Sequence, residues 1–364
     1  MELSKIVITG GPCAGKTTAM SWIQNAFTQK GYVVLFIGET ATEFIRGGVA
    51  PWTCGSNLDY QKCQMRLQME KERLFEQAAR SMKADKILLV CDRGLLDNKA
   101  YMNEAELQAV LDDIGSNEVE LRDSYDAVFH LTSAAKGAEQ FYTTANNAAR
   151  TETVEQARAL DDKLIASWMG HPYFRVIDNA TEFSVKMRRL IGEIASYLGE
   201  EAPYKTQRKF LIRFPDLRQV EAIQGVNRVE IIQTYLRSSN GKELRIRQRG
   251  SGGHYIYYQK MFRNPDDPQM VNIERRLDKD EYLKLLMEAD PSMRQIRKTR
   301  YCFTYRNRYF ELDVYPFWKD KAVLKVPLRE EDQEIVVPSF IDLLEEITDD
   351  ERFSNLALAT RNDL

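Results

Sequence analysis

The chain has 364 residues, too many for one compact core under the usual scaling of buried surface with size, so at least two domains are expected. Hydrophobic residues at 43% and charged residues at 29% match ordinary globular usage and exclude disordered, collagenous and disulfide-framework chains. The formal charge of -3 is a cancellation: residues 1–204 carry 22 Lys/Arg against 28 Asp/Glu, residues 205–329 carry 27 against 15, and the last 35 carry 2 against 11.

Cys13, Cys54, Cys63, Cys91 and Cys302 are odd in number and form no CxxC or Cys/His cluster of metal-ligand spacing, which suits a reducing, cytoplasmic compartment. No run has the length of a membrane span, and the N-terminus enters a strand-like segment at Lys5 without the apolar region of a signal peptide.

Over the first two hundred residues short Ile/Val/Leu runs alternate with helix-period segments. The runs predict strands at Lys5–Thr9, Tyr32–Ile37, Lys86–Cys91, Asp126–Leu131 and Phe174–Ile177. Continuous apolar runs suit strands buried on both faces of a parallel sheet, so the fold class is α/β with helical crossovers and a sheet of five strands.

Directly after the first strand comes Gly10-Gly11-Pro12-Cys13-Ala14-Gly15-Lys16-Thr17, followed by Thr18 and a helix-forming stretch. This satisfies GxxxxGK[ST] in the strand-loop-helix setting the motif requires. The glycines let backbone amides cradle phosphates at a helix N-terminus, Lys16 reaches the outer phosphates, and Thr17 offers a hydroxyl to Mg²⁺.

Glu39, with Thr40 and Thr42 behind it, follows the second strand. It reads equally as an acceptor-site carboxylate and as a helix N-terminal glutamate favoured by the dipole. The third strand ends Cys91-Asp92-Arg93-Gly94, at the sheet edge where open α/β folds bind ligands. Asp92 there suits the Mg²⁺ shell or a base toward a substrate hydroxyl, against the plainer reading of a turn cap with Arg93 as its partner. Residues 132–162, rich in Ala, Thr, Asn and Glu, suit a mobile lid whose Arg150 swings onto a transferred phosphoryl group. Arg158 pairing with Asp161 on a solvated helix is the plainer reading. Asn179, after the fifth strand, is a candidate base contact. His171 and His130 read as structural residues and His254 as part of a turn beside Gly252-Gly253.

In these residues the sequence resembles the P-loop nucleoside-kinase-like group, especially its nicotinamide-riboside-kinase-like branch, over roughly residues 1–200. The resemblance carries the Walker A loop, the Asp92-Arg93 pair after the third strand and the lid arginine Arg150. It implies Mg²⁺ and ATP or GTP as the bound groups, the motif itself reading phosphates rather than the base.

Glu200-Glu201-Ala202-Pro203 ends the last helix, and period-two alternation replaces the helical period. The domains are therefore 1–203 and 204–364. Lys209–Phe214, Arg228–Leu236, Glu243–Arg249, Tyr255–Phe262, Met270–Leu277, Arg300–Arg306, Tyr309–Tyr315 and Ala322–Leu328 read as strands, and Asn240-Gly241 as a hairpin turn. So many antiparallel strands are expected to close or nearly close into a barrel with an acidic C-terminal tail. Side chains two apart share a face, so Arg245, Arg247 and Arg249 form one row, Lys298 and Arg300 another, Glu311 and Asp313 a third. The rows either clothe the outside or converge in a lumen that binds a polyanion.

Arg245-Ile246-Arg247, Lys260, Glu274, Lys298-Thr299-Arg300 and Glu311-Leu312-Asp313 occur in the order seen in the CYTH, or triphosphate tunnel, superfamily, which residues 205–328 resemble. That resemblance implies an anion site formed by Lys209, Arg245, Arg247, Lys260, Lys298, Arg300 and Lys325. The departures matter too. Where the superfamily's first strand carries ExExK, this chain has Lys205-Thr206-Gln207-Arg208-Lys209; where its last strand supplies paired glutamates, this chain has Leu324-Lys325-Val326-Pro327. Two-metal hydrolysis needs carboxylates to hold the ions, so a binding tunnel is expected rather than an active triphosphatase. The two halves in this order resemble the TRPL translocation defect family of GTP- and phospholipid-binding proteins and its bacterial relatives.

Three functions follow as expectations. The first is a Mg²⁺-dependent NTPase or nucleotide switch, with a phosphorylated or polyphosphate molecule or an acidic phospholipid head group in the barrel. The second is a small-molecule kinase with Asp92 or Glu39 as base and Lys16 and Arg150 on the transferred phosphoryl group. The third is a non-enzymatic module docking acidic lipid. Nucleic acid is the weaker partner, because Tyr257, Tyr258 and Tyr305 read as strand core.

Overall fold

The computed structural model describes residues 2–142, 153–200, 207–237, 244–261, 273–306, 308–327 and 335–360. The chain divides into two compact units, Met1–Leu198 and Gly199–Leu364.

The first unit is a parallel sheet crossed by helices. In chain order its elements are β1 (Glu2–Gly10), α1 (Lys16–Thr28), β2 (Val33–Ile37), α2 (Thr40–Arg46), α3 (Asn57–Ser81), β3 (Lys86–Asp92), a 3-10 turn over Leu95–Tyr101, α4 (Glu104–Ile114), α5 (Glu118–Arg122), β4 (Ala127–Leu131), α6 (Val154–Trp168), β5 (Phe174–Ile177) and α7 (Phe183–Tyr197). The strand order is β2-β3-β1-β4-β5. All five predicted strands are present within a few residues of their expected bounds. Their continuous apolar runs have the expected cause: Ile6, Val7, Ile8, Leu88, Leu89, Val90, Val128 and Phe129 are all fully buried, so both faces of the sheet are covered. On one face Ile6, Ile8, Leu88, Val90 and Phe129 pack with Ala19, Ile23 and Phe27 of α1 and Met187, Leu190 and Ile194 of α7.

The register sets the site. Ile8 lies opposite Asp92, Gly10 opposite Leu131, Leu131 opposite Ile177, and Ile37 opposite Cys91. All five strands therefore end at one edge, and the loops leaving that edge carry the P-loop, Glu39, Asp92-Arg93 and Asn179.

The second unit contains β6 (Gln207–Arg213), α8 (Leu217–Glu221), β7 (Asn227–Tyr235), β8 (Leu244–Ser251), β9 (His254–Met261), β10 (Ile273–Leu277), α9 (Lys279–Leu286), β11 (Ile296–Tyr305), β12 (Arg308–Val314), β13 (Lys321–Pro327), β14 (Leu343–Glu346) and α10 (Asn355–Thr360). The eight predicted strands are all there, each paired antiparallel to its neighbours in the order β10-β9-β8-β7-β11-β12-β13-β6-β14.

One expectation is corrected here. A closed barrel is not what the described residues form: β10 and β14 end the sheet and are not paired with each other. The physical reason lies at β6. Its outer edge is taken by β14, a strand the alternation does not predict, whose pairing shifts register between Leu343 and Glu345 and satisfies groups that closure would otherwise need. The acidic C-terminal segment packs within this unit over its described residues, 335–360. Ile341, Ile347, Leu358 and Ala359 are buried, and the last three join the core of Tyr235, Ile296, Tyr315, Trp318 and Val323. The Asn240-Gly241 turn lies outside the described residues.

Candidate functional site

The P-loop is a strained turn between β1 and α1. Cys13 sits at φ 56, a left-handed conformation that a non-glycine residue adopts at a cost of about 1–2 kcal/mol. Gly15, at φ 92, accepts the conformation without that cost, and a Cβ there would stand 2.6 Å from a ring carbon of Phe183. Three carbonyls along the loop are held by side chains. The Lys16 ammonium donates to the Gly10 carbonyl at 3.1 Å, the Ser133 hydroxyl to the Pro12 carbonyl at 2.5 Å, and the Lys186 ammonium to the Ala14 carbonyl at 3.1 Å. Thr17 and Thr18 stand exposed at the first turn of α1.

Two buried side chains hold the loop, and neither carries a sequence signature. Lys186 of α7 is 2% exposed and also donates to the Thr132 carbonyl at 2.8 Å and to Asn179 Oδ1 at 2.7 Å. Burial pushes its ammonium down to about 8, against the raising influence of Asp161. Asp161 of α6, fully buried, gathers donors from three segments: the Gly11 amide at 3.0 Å, the Ser133 amide at 3.1 Å and His130 Nε2 at 3.1 Å all meet Oδ1, while Lys136 lies 3.1 Å from Oδ2. Burial alone would raise this carboxyl; His130 and Lys136 hold it far below the usual carboxylate range. Gly11 is required because a Cβ would stand 2.7 Å from Asp161 Oδ1.

Asp161 thus corrects the pairing expected for Arg158. That arginine instead donates to the Ala135 carbonyl and to Glu139, both at 2.6 Å. His130 is core, as its strand position suggests, and His171 is tied to the Tyr125 carbonyl at 2.9 Å and the Tyr173 amide at 3.0 Å. His254 opens β9 after two glycines with positive φ.

The β2/β3 side of the loop is ionic. Arg93, at φ 72, donates through Nε to Glu39 Oε1, and Glu39 Oε2 accepts from the Thr42 hydroxyl at 2.8 Å. Burial would raise the Glu39 carboxyl, but Arg93, Lys16 and that hydroxyl hold it at about 2. Glu39 is also the residue that precedes the first turn of α2, the helix N-terminal position expected of it. Asp92 is raised by burial, partly offset by Lys16. Its Oδ1 is buried with no hydrogen-bond partner, as is Arg93 Nη1. A buried carboxylate oxygen and a buried guanidinium nitrogen left unsatisfied beside a phosphate loop are the valences that a hydrated cation and a phosphate oxygen would fill. Burial, then Arg93, lowers the Lys16 ammonium, while Asp92 and Glu39 raise it. Lys16, Glu39, Asp92 and Arg93 therefore form one electrostatic group, and the donor set fits Mg²⁺ and a nucleoside triphosphate.

Asn179 is committed elsewhere. Its amide donates to the Ser133 carbonyl at 2.7 Å and the Lys136 carbonyl at 2.9 Å, and its oxygen accepts from Lys186. Arg150 lies outside the described residues.

The second unit holds a separate cationic cluster. Cross-strand partners share a sheet face. The pairs Arg245–Lys260, Gln233–Arg247, Arg300–Asp313, Glu311–Lys325 and Lys325–Lys209, together with Gln233–Ile296 and Ile231–Lys298, put all seven expected anion-binding residues on the same face. Asp313, fully buried, is the centre: Lys298 lies 2.7 Å away, Arg300 donates at 2.6 and 2.8 Å, and Lys325 lies at 3.3 Å. Glu311 takes a further contact from Arg300 at 2.6 Å. Burial would raise Asp313, but these three cations hold it well below the carboxylate range; burial likewise lowers Lys298 and Lys325. Among the described residues, these contacts set Lys298, Arg300 and Lys325 against Asp313 and Glu311. Glu274 is placed only by its pairing with Lys260.

Residues 5–186, half of the chain, match the family model described as an AAA domain. The chain belongs to the AAA-domain family. The matched span covers β1 through the start of α7, so the loop, Glu39, Asp92, Asp161 and Lys186 are all AAA-domain residues. No curated protein is significantly similar to the chain. Among solved structures, the hypothetical protein NE1496 is 28% identical over 43% of this chain and 99% of its own, with a TM-score of 0.34. The inorganic triphosphatase NE1496 is 28% identical over 43% and 95%, with a TM-score of 0.32. The PH1819 protein from Pyrococcus horikoshii OT3 is 18% identical over 34% and 80%, with a TM-score of 0.25. Among the described residues no helix is long and apolar enough to cross a membrane.

Proposed function

We propose that this P-loop protein binds ATP or GTP with Mg²⁺ as an NTPase or nucleotide switch, and that its second unit is a CYTH-like anion site. The observation that supports the first part is the unsatisfied pair, Asp92 Oδ1 and Arg93 Nη1, buried beside Lys16. Thr17 and Asp92 would hold the metal, which when bound neutralises phosphate charge. Lys16 and the loop amides from Cys13 to Thr18 bind and orient the phosphates. The second part is supported by the cluster around Asp313, whose three cations suit a phosphorylated or polyphosphate molecule or an acidic phospholipid head group. The lack of ExExK and of paired glutamates on β13 favours binding over hydrolysis there.

A second reading, transfer of a phosphoryl group to a nucleoside-like hydroxyl, is favoured by one observation: burial raises the Asp92 carboxyl toward the range of a general base. Equilibrium dialysis of radiolabelled ATP and GTP with and without Mg²⁺ tests nucleotide binding, and product analysis against nucleoside and riboside acceptors separates hydrolysis from transfer. Retention of neither nucleotide refutes both readings.

A further inference from the structure

The edge of the parallel sheet has two unlike sides. The β2/β3 side is ionic, with Glu39, Asp92 and Arg93 grouped around Lys16. The β4/β5 side is stitched to the P-loop by Lys186 and Asn179, and there the first residue of α7, Phe183, lays its ring edge against Gly15 while remaining 47% exposed. A triphosphate whose outer phosphates lie on the ionic side directs its nucleoside toward the opposite side, where this ring stands.

The groups after β5 that could read a base edge are mostly committed. The Asn179 amide and oxygen are engaged as described, and Asp178 Oδ1 accepts from Arg189 at 3.0 Å and the Ala180 amide at 3.1 Å. Thr181 differs: its hydroxyl is buried in the same loop with no hydrogen-bond partner. A hydroxyl donates or accepts, so it suits the adenine amino group and the guanine carbonyl alike.

We propose that Phe183 is the platform on which the nucleobase stacks, and that the site therefore takes adenine and guanine nucleotides with similar affinity. The inference rests on the nucleotide reading above. Stacking is tolerant because every base offers a π face, and a rotatable hydroxyl adds no preference.

The test is titration of the full chain with Mg·ATP and Mg·GTP, taking the Lys16-dependent part of the signal, in the wild type, Phe183→Ala and Phe183→Tyr. The wild-type affinities for the two nucleotides agree within about threefold, well under 1.4 kcal/mol. Phe183→Ala weakens both by about tenfold or more, the scale of one base–aromatic stack, and Phe183→Tyr restores both. Unchanged affinity in Phe183→Ala, or loss that Phe183→Tyr does not restore, overturns the stacking role. A preference for one base above about tenfold overturns the tolerance. A wild type that binds neither nucleotide overturns the nucleotide reading and this inference with it.

Discussion

Replacing Asp313 by Asn removes one charge from the centre of the second unit and almost nothing from its shape. Asp313 is fully buried and answers Lys298, Arg300 and Lys325, while Glu311 also meets Arg300. Removing one partner of a buried ionic group costs about 3–5 kcal/mol, and the retained amide oxygen puts Asp313→Asn near the lower figure. With urea slopes of about 1–3 kcal/mol per molar, a loss of about 3 kcal/mol moves the midpoint by roughly 1–3 M. Trp318 packs 5.1 Å from Tyr315, whose ring lies 5.5 Å from the Lys298 ammonium, so its fluorescence follows this region. If the cluster is an anion site, added tripolyphosphate restores part of the lost stability, because a ligand that binds only the folded state stabilises it by mass action. A midpoint within about 0.3 M of the wild type would refute the account of a charge-balanced cluster. No recovery with tripolyphosphate would refute its role as an anion site.

Further outcomes follow from the first unit. Glu39 titrates at about 2 in the fold against an ordinary 4.5, so its contribution is present above about 4.5 and is lost as pH falls from there toward 2. Comparing wild type with Glu39→Gln by thermal unfolding across that window shows a difference of about 1–3 kcal/mol that vanishes at the acid end. Asp161→Ala orphans the Gly11 and Ser133 amides and His130 at about 1–3 kcal/mol each; urea unfolding loses about 3 kcal/mol or more, and Asp161→Asn, which keeps an acceptor, loses less. Gly15→Ala combines positive-φ strain of about 1–2 kcal/mol with a collision against Phe183, and lowers both thermal stability and nucleotide affinity in calorimetry.

The parts legible in the sequence were those governed by local pattern. Continuous apolar runs located the five parallel strands because both sheet faces are buried, and alternation located eight antiparallel strands because each presents one polar and one apolar face. The P-loop was legible because its conformation demands glycine at fixed positions. The charge rows of β8, β11 and β12 were legible as rows, since period two is a property of one strand, but their assembly around Asp313 depends on register between strands. The loop-holding roles of Lys186 and Asp161 were not legible for a related reason: each occupies an ordinary helical position, and only tertiary packing brings it to the phosphate loop. β14 reads Leu-Leu-Glu-Glu, with no alternation to betray it, and it forms because the edge of β6 is open to it. The base-contact expectation for Asn179 came from its place after β5, which the structure keeps, while its hydrogen bonds tie it to carbonyls and Lys186.

The central claim is that the P-loop of this AAA-domain protein holds a magnesium nucleotide through Lys16. Isothermal titration of the full chain with ATP or GTP tests it most directly. One nucleotide per chain should bind with Mg²⁺ present, weaken when the metal is chelated, and be lost in Lys16→Ala; the same binding in Lys16→Ala, or none in the wild type, would contradict it.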